Sequence, residues 1–83
     1  MTPENPAVFE ALGVAFLRQG LVDQAVANFD QALKLRPELA SALYGRGLAK
    51  LKKGETAAGS ADIKAANAIK PNVAEEFAHY GVM

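Results

Sequence analysis

The sequence predicts an all-α protein built from tandem helical hairpins, and three observations predict it. First, sliding the chain against itself by 34 residues superimposes Gly13 on Gly47, Ala15 on Ala49, Leu17 on Leu51, Gly20 on Gly54, Ala27 on Ala61, Ala32 on Ala66 and Pro37 on Pro71. Similar residues align at the same offset: Phe9 with Leu43, Phe29 with Ile63, Leu35 with Ile69, and Arg36 with Lys70. Second, apolar residues recur at helical spacings within each period. Third, glycine and proline punctuate both periods at the same places, which marks a supersecondary unit used twice.

The elements follow in order. Asn5-Pro6 starts the first helix, because Asn accepts from free N–H groups and Pro suits the first helical position. This helix runs to about Arg18, and Gly20 takes the left-handed conformation that closes it. It includes residues 7–17, AVFEALGVAFL, whose only charge is Glu10. That run is too short to span a membrane, which takes about 20 residues. A second helix covers about residues 22–35, with Ala25, Val26, Phe29, Ala32 and Leu33 on one face. Pro37 ends it, since the residue before a proline disfavours the helical conformation. A third helix covers about residues 38–53, closed by Gly54. A fourth covers about residues 56–69, with Glu55 or Thr56 as its cap and Pro71 beyond its end. The links are short, so successive helices are expected to be antiparallel neighbours. A fifth, short helix is expected over residues 72–80, capped by Asn72, favoured by Glu75 and Glu76 at its positive end, and stopped by Gly81.

Composition narrows the function. The 83 residues suffice for one small domain, 51% of them are hydrophobic, and 9 basic residues balance 9 acidic ones. Charge balance gives no sign of a nucleic-acid or anionic-membrane partner, and the basic residues lack interleaved aromatics. The chain has no cysteine, so neither a disulfide framework nor thiolate chemistry is expected. The N-terminal MTPENP does not resemble a signal peptide, so a cytoplasmic location is expected. No cofactor is expected either. His79 has only Glu75 one turn away, short of the three or four ligands of a zinc site. Glu75 and Glu76 are adjacent and point in different directions on a helix, which suits a first turn better than acid–base work. With no nucleophile–base pair, metal cluster or phosphate-binding glycine loop, the chain is not expected to be an enzyme.

The pattern Phe9-x2-Leu12-Gly13-x2-Phe16, then Ala25-x3-Phe29, then Ala32 and Pro37, resembles the tetratricopeptide repeat. The second unit keeps Leu43, Gly47, Gly54, Ala66 and Pro71, and departs from the pattern at Arg46, Lys50 and Gly59. The resemblance implies a single domain over residues 1–83, with repeats at about 6–39 and 40–73 and a capping helix at about 72–80. It implies an α-α superhelix, a right-handed solenoid of two helix-turn-helix repeats plus a short fifth helix. The mid-helix glycines Gly13 and Gly47 suggest close approach of paired helices, aided by Ala32 and Ala66, with Phe9, Phe16 and Phe29 filling the space around them.

The function the resemblance implies is protein–protein interaction, with a partner's peptide or helix held in the concave groove. Its positions would be Ala7, Glu10, Val14, Leu17 and Arg18 in the first unit, and Ser41, Tyr44, Leu48, Leu51 and Lys52 in the second. Val14, Leu17, Tyr44, Leu48 and Leu51 would supply apolar contact, while Glu10, Arg18, Lys50 and Lys52 steer charge. Members of the family that clamp a terminal carboxylate use Lys and Asn where this chain has Glu10 and Val14, so a chaperone-tail ligand is not expected. Tyr44 serves either as a binding aromatic or as part of the packing. The basic run KLKKG over residues 50–54 either attracts an acidic segment or complements a helix C-terminus. The alternative function is structural: solenoids need about three repeats, and nothing is expected to cover Val8, Ala11, Leu12 and Ala15. Those residues would then meet a second copy, making a homo-oligomer through the N-terminal helix, or a neighbour in a longer repeat scaffold.

Overall fold

The computed structural model describes residues 5–79 and contains five helices in that span: α1 (Pro6–Arg18), α2 (Val22–Leu35), α3 (Ala40–Lys52), α4 (Thr56–Ile69) and α5 (Val73–Ala78). No strand occurs among the described residues. α1 packs on α2 and α3 on α4, α3 also lies against α2 and α1, and α5 covers α3 and part of α4. The fold is therefore the expected all-α stack of hairpins. Tyr80 and Gly81, expected to end the fifth helix, lie outside the described residues.

The local signals act as anticipated at most ends. Asn5 caps α1, its Oδ1 accepting from the Ala7 N–H at 2.9 Å. Gly20 and Gly54 have φ of 79° and 89°, the left-handed region where a glycine carries no Cβ penalty. Around each glycine the chain closes in a Schellman motif: Leu21 N–H donates to Phe16 C=O and Gly20 N–H to Leu17 C=O, and Glu55 and Gly54 repeat this on Lys50 and Leu51.

Three ends differ. α3 begins at Ala40 rather than at residue 38, because Pro37 and Glu38 form a turn in which Leu39 N–H donates to Arg36 C=O. Asn72 stands before α5, but its side chain caps nothing; its backbone carbonyl accepts from Glu75 and Glu76 instead. Neither does the Glu55 side chain cap α4; it lies 3.7 Å from the Lys53 ammonium.

The core is thin and rests on small residues. Phe29 of α2 is fully buried. Its ring lies over Gly13 of α1, where an added Cβ would fall 2.7 Å from ring carbon Cε1, and against Gly45 of α3, where an added Cβ would also collide with it. Gly13 thus makes room for a ring rather than for a backbone. Gly47 does make room for a backbone: a Cβ there would lie 2.8 Å from the Gly59 carbonyl oxygen of α4, and one on Gly59 would lie 2.7 Å from the Gly47 oxygen. The departure at Gly59 is therefore the partner of Gly47. Phe9 and Phe16 are only half-buried and pack at the edge of the core, whereas Val73 and Phe77 of α5 are fully buried.

Candidate protein-binding surface

The first helices of the two hairpins, α1 and α3, lie side by side, so residues 34 apart occupy equivalent places on them. Their expected groove positions divide into two groups. Val14 and Leu17 of α1 and Tyr44 of α3 are buried in the core, at 3–6% exposure. Tyr44 belongs to the packing, since its ring meets Phe77 of α5 at a centroid distance of 5.4 Å and a tilt of 57°. Arg18, Leu51, Lys52 and Ala7 are exposed, and Leu48 and Ser41 are half-buried. Leu51 leans on Gly59 of α4. It stays 37% exposed while its counterpart Leu17 is sealed.

Glu10 stands apart. Only 8% exposed, it is buried on the second turn of α1, and its Oε2 has no hydrogen-bond partner. Charged residues are rarely buried without a partner. Its counterpart is Tyr44, so this place on the helix face suits an apolar group.

The two departures Arg46 and Lys50 build an ion cluster that the sequence pattern does not disclose. Arg46 donates Nε–H to Asp62 Oδ2 at 2.8 Å and Nη2–H to Asp62 Oδ1 at 2.9 Å, a bidentate fork from α3 to α4. Its Nη1–H reaches Asp30 Oδ1 of α2 at 2.8 Å, and Lys50 Nζ lies 3.0 Å from Asp62 Oδ2. Burial pushes the Asp62 carboxyl up, but the hydrogen bonds from Arg46 and Lys50 outweigh it and hold the group below its ordinary value. Arg46 is held above its own, chiefly by the hydrogen bond to Asp62 working against burial. The expectation that Lys50 steers a partner's charge is thus corrected, because Asp62 takes up that charge. Lys53 likewise pairs with Asp23 of α2 at 2.7 Å, and Lys70 with Glu76 at 2.7 Å. Only Lys52 of the KLKKG run lies outside these pairs.

Two further surface features lie away from these residues. The outer face of α1 carries Val8 at 54% and Leu12 at 42% exposure, with Ala11 and Ala15 also exposed between them. Of the equivalent residues of α3, Ala42, Gly45 and Ala49 are buried and Arg46 is half-buried, on the helix that packs against α2. A cleft of about 450 Å³, lined by Arg36, Glu38, Leu39, Ser41, Ile69 and Lys70, opens where the α2–α3 and α4–α5 links come together. Sequence reasoning missed this cleft, because links carry no periodic signal. His79 is exposed at the end of α5. Among the described residues, no group of three or more His, Cys, Asp or Glu could hold a metal ion, and no helix is long and apolar enough to cross a membrane.

A family model described as TPR repeat matches residues 21–54, which carry α2, α3 and the closing Gly54. The human protein named Tetratricopeptide repeat protein 13 is 42% identical over 53 residues, covering 61% of this chain and 6% of that protein. The chain therefore spans only a small part of that relative's length. No solved structure matches. The matched repeat at residues 21–54, the likeness to a protein named for it, and hairpins recurring every 34 residues together support a tetratricopeptide repeat assignment.

Proposed function

We propose that the chain binds an unpaired segment of a partner protein along the strip between α1 and α3. Repeats of this family mediate protein–protein interaction. The observation that carries the reading is the set of accessible residues along these two helices: half-buried Leu48 and exposed Leu51 beside Arg18 and Lys52, two exposed cations at equivalent positions. An apolar centre with a charged rim is the usual anatomy of a protein-binding patch. Binding is by a preformed rigid surface, with Glu10, Val14, Leu17 and Tyr44 shaping its floor. A cytoplasmic location accompanies this reading.

The test is selection of peptides from a displayed library, followed by affinity measurement against Leu48→Glu and the double variant Arg18→Glu/Lys52→Glu. Circular dichroism establishes that each variant is folded. Both are expected to lose at least tenfold in affinity. Unchanged binding by both folded variants would sink the strip as the binding surface.

A second reading is favoured by Val8 and Leu12, which are exposed where the equivalent face of α3 is covered. Through this face the chain would associate with a second copy. Sedimentation across a hundredfold concentration range should show a dimer that Leu12→Glu abolishes, and a monomer at every concentration would end this reading.

A further inference from the structure

We propose that two copies of this chain join α1 to α1, antiparallel, about a two-fold axis that passes between Ala11 and Leu12. This rests on the self-association reading above and adds which surface of the second copy is met, and with what symmetry.

The argument starts from charge. Val8, Ala11, Leu12 and Ala15 are all exposed and fall at helical spacings on one side of α1. The same side of α3 is charged and already answered by α2: Arg46 bonds Asp30 at 2.8 Å and Lys53 bonds Asp23 at 2.7 Å. At those two places α1 has Leu12 and Gln19, which offer no cation. A helix like α2 would therefore bring two carboxylates to places that cannot pair them, and burying an unpaired charge is costly. The α4 helix of a second copy fits no better. Lys64 stands on it where α2 has Asp30, so its ammonium would meet Leu12. The occupant must be uncharged and apolar at these places. Among the described helices, α1 itself carries two exposed large apolar side chains, Val8 and Leu12.

Shape makes this face complementary to itself. Val8 and Leu12 form a row of larger side chains, and Ala11 and Ala15 form a row of small ones beside it. A hollow of about 300 Å³ lies beside Ala15, Arg18 and Gln19. An isologous contact requires one surface to carry both the knobs and the holes that receive them. In antiparallel order, Val8 of one copy stands against Ala15 of the other and enters that hollow, while Leu12 lies over Ala11. The alanines let the helix axes approach to about 8 Å, the near end of helix packing. Because the same patch is used on both copies, the contact closes on itself, and assembly stops at a dimer instead of growing head to tail.

The experiment is cysteine cross-linking of the whole chain, which has no cysteine of its own, so each variant carries a single thiol. Circular dichroism under reducing conditions establishes that the variants keep the parent's helicity. Ala11→Cys, beside the axis, should form a disulfide-linked dimer by itself on oxidation. Val8→Cys and Ala15→Cys should link to each other when mixed, at least tenfold faster than either links to itself. In the antiparallel pair, like positions at 8 or 15 are about 10 Å apart along the helices, beyond the reach of a disulfide. A sedimenting dimer in which Val8→Cys and Ala15→Cys do not link, or in which Leu12→Cys links to Lys64→Cys instead, would overturn the two-fold pairing and leave self-association standing. A parent chain that sediments as a monomer at every concentration would overturn both.

Discussion

Phe29 is held between two residues that have no side chain, and the substitution Gly13→Ala tests that arrangement. An added Cβ at Gly13 would sit 2.7, 2.8 and 2.9 Å from three carbons of the Phe29 ring. Comfortable carbon–carbon contact is about 3.5–4.0 Å, so the methyl intrudes by nearly an ångström. The ring has nowhere to go, since it is fully buried and its other side meets Gly45. Overpacking of this kind costs about 1–3 kcal/mol. Replacing glycine by alanine inside a helix returns about 1 kcal/mol. The net expectation is a loss of up to about 2 kcal/mol, large beside a total stability of about 5–15 kcal/mol. In a Phe29→Leu background the shorter side chain leaves room for the methyl, and only the helix gain remains. There Gly13→Ala should stabilise by up to about 1 kcal/mol, a rise in Tm of about 4–8 °C. Thermal and urea unfolding followed by circular dichroism of the four proteins completes the double-mutant cycle, with an expected coupling of about 1–3 kcal/mol. If Gly13→Ala raises Tm equally in both backgrounds, the ring does not occupy that space and the reasoning fails.

Other outcomes follow from the ion cluster and the helix ends. Asp62→Ala leaves Arg46 and Lys50 without their shared carboxylate in a half-buried setting, and should cost about 2–4 kcal/mol in urea unfolding, below the ceiling for fully buried pairs because Arg46 keeps some solvent contact. Asp62→Ala with Arg46→Leu and Lys50→Leu should recover most of that loss, since an apolar replacement of an ion pair is often neutral. Because the Asp62 carboxyl sits below its ordinary value in the folded chain, the unfolded chain binds its proton first as pH falls. Its contribution is therefore complete above the unfolded value, near pH 4, and is lost as pH drops through the folded value. Unfolding free energies between pH 6 and pH 2.5 should show a decline in the wild type that is shallower in Asp62→Asn. Gly54→Ala should cost about 1–2 kcal/mol from backbone strain alone, as φ there is 89° and no atom lies within 4 Å of the new methyl. A stabilising result in thermal unfolding would contradict the left-handed closure of α3.

Much of the architecture is local and could be read along the chain. The bounds of α2 and α4 follow from apolar spacing between a glycine and a proline, because each residue's preference acts within a turn or two of its own position. Gly20 and Gly54 close their helices as a sequence argument says they must. The exposed apolar face of α1 through Val8 and Leu12 was legible as well, since both fall on a side of the helix that no expected partner helix covers. Tertiary packing decided the rest. A groove position names a face of a helix, but whether water reaches that face depends on the neighbours. Leu17 is sealed while its counterpart Leu51 stays open, and Phe77 meets the ring of Tyr44. Arg46 and Lys50 read as departures from a pattern until α2 and α4 bring Asp30 and Asp62 within reach. Helical periodicity specifies direction around one axis, whereas burial and charge pairing are properties of several axes at once; the sequence alone therefore determined the helices and their repeat, and the assembled fold determined which side chains remain free to bind.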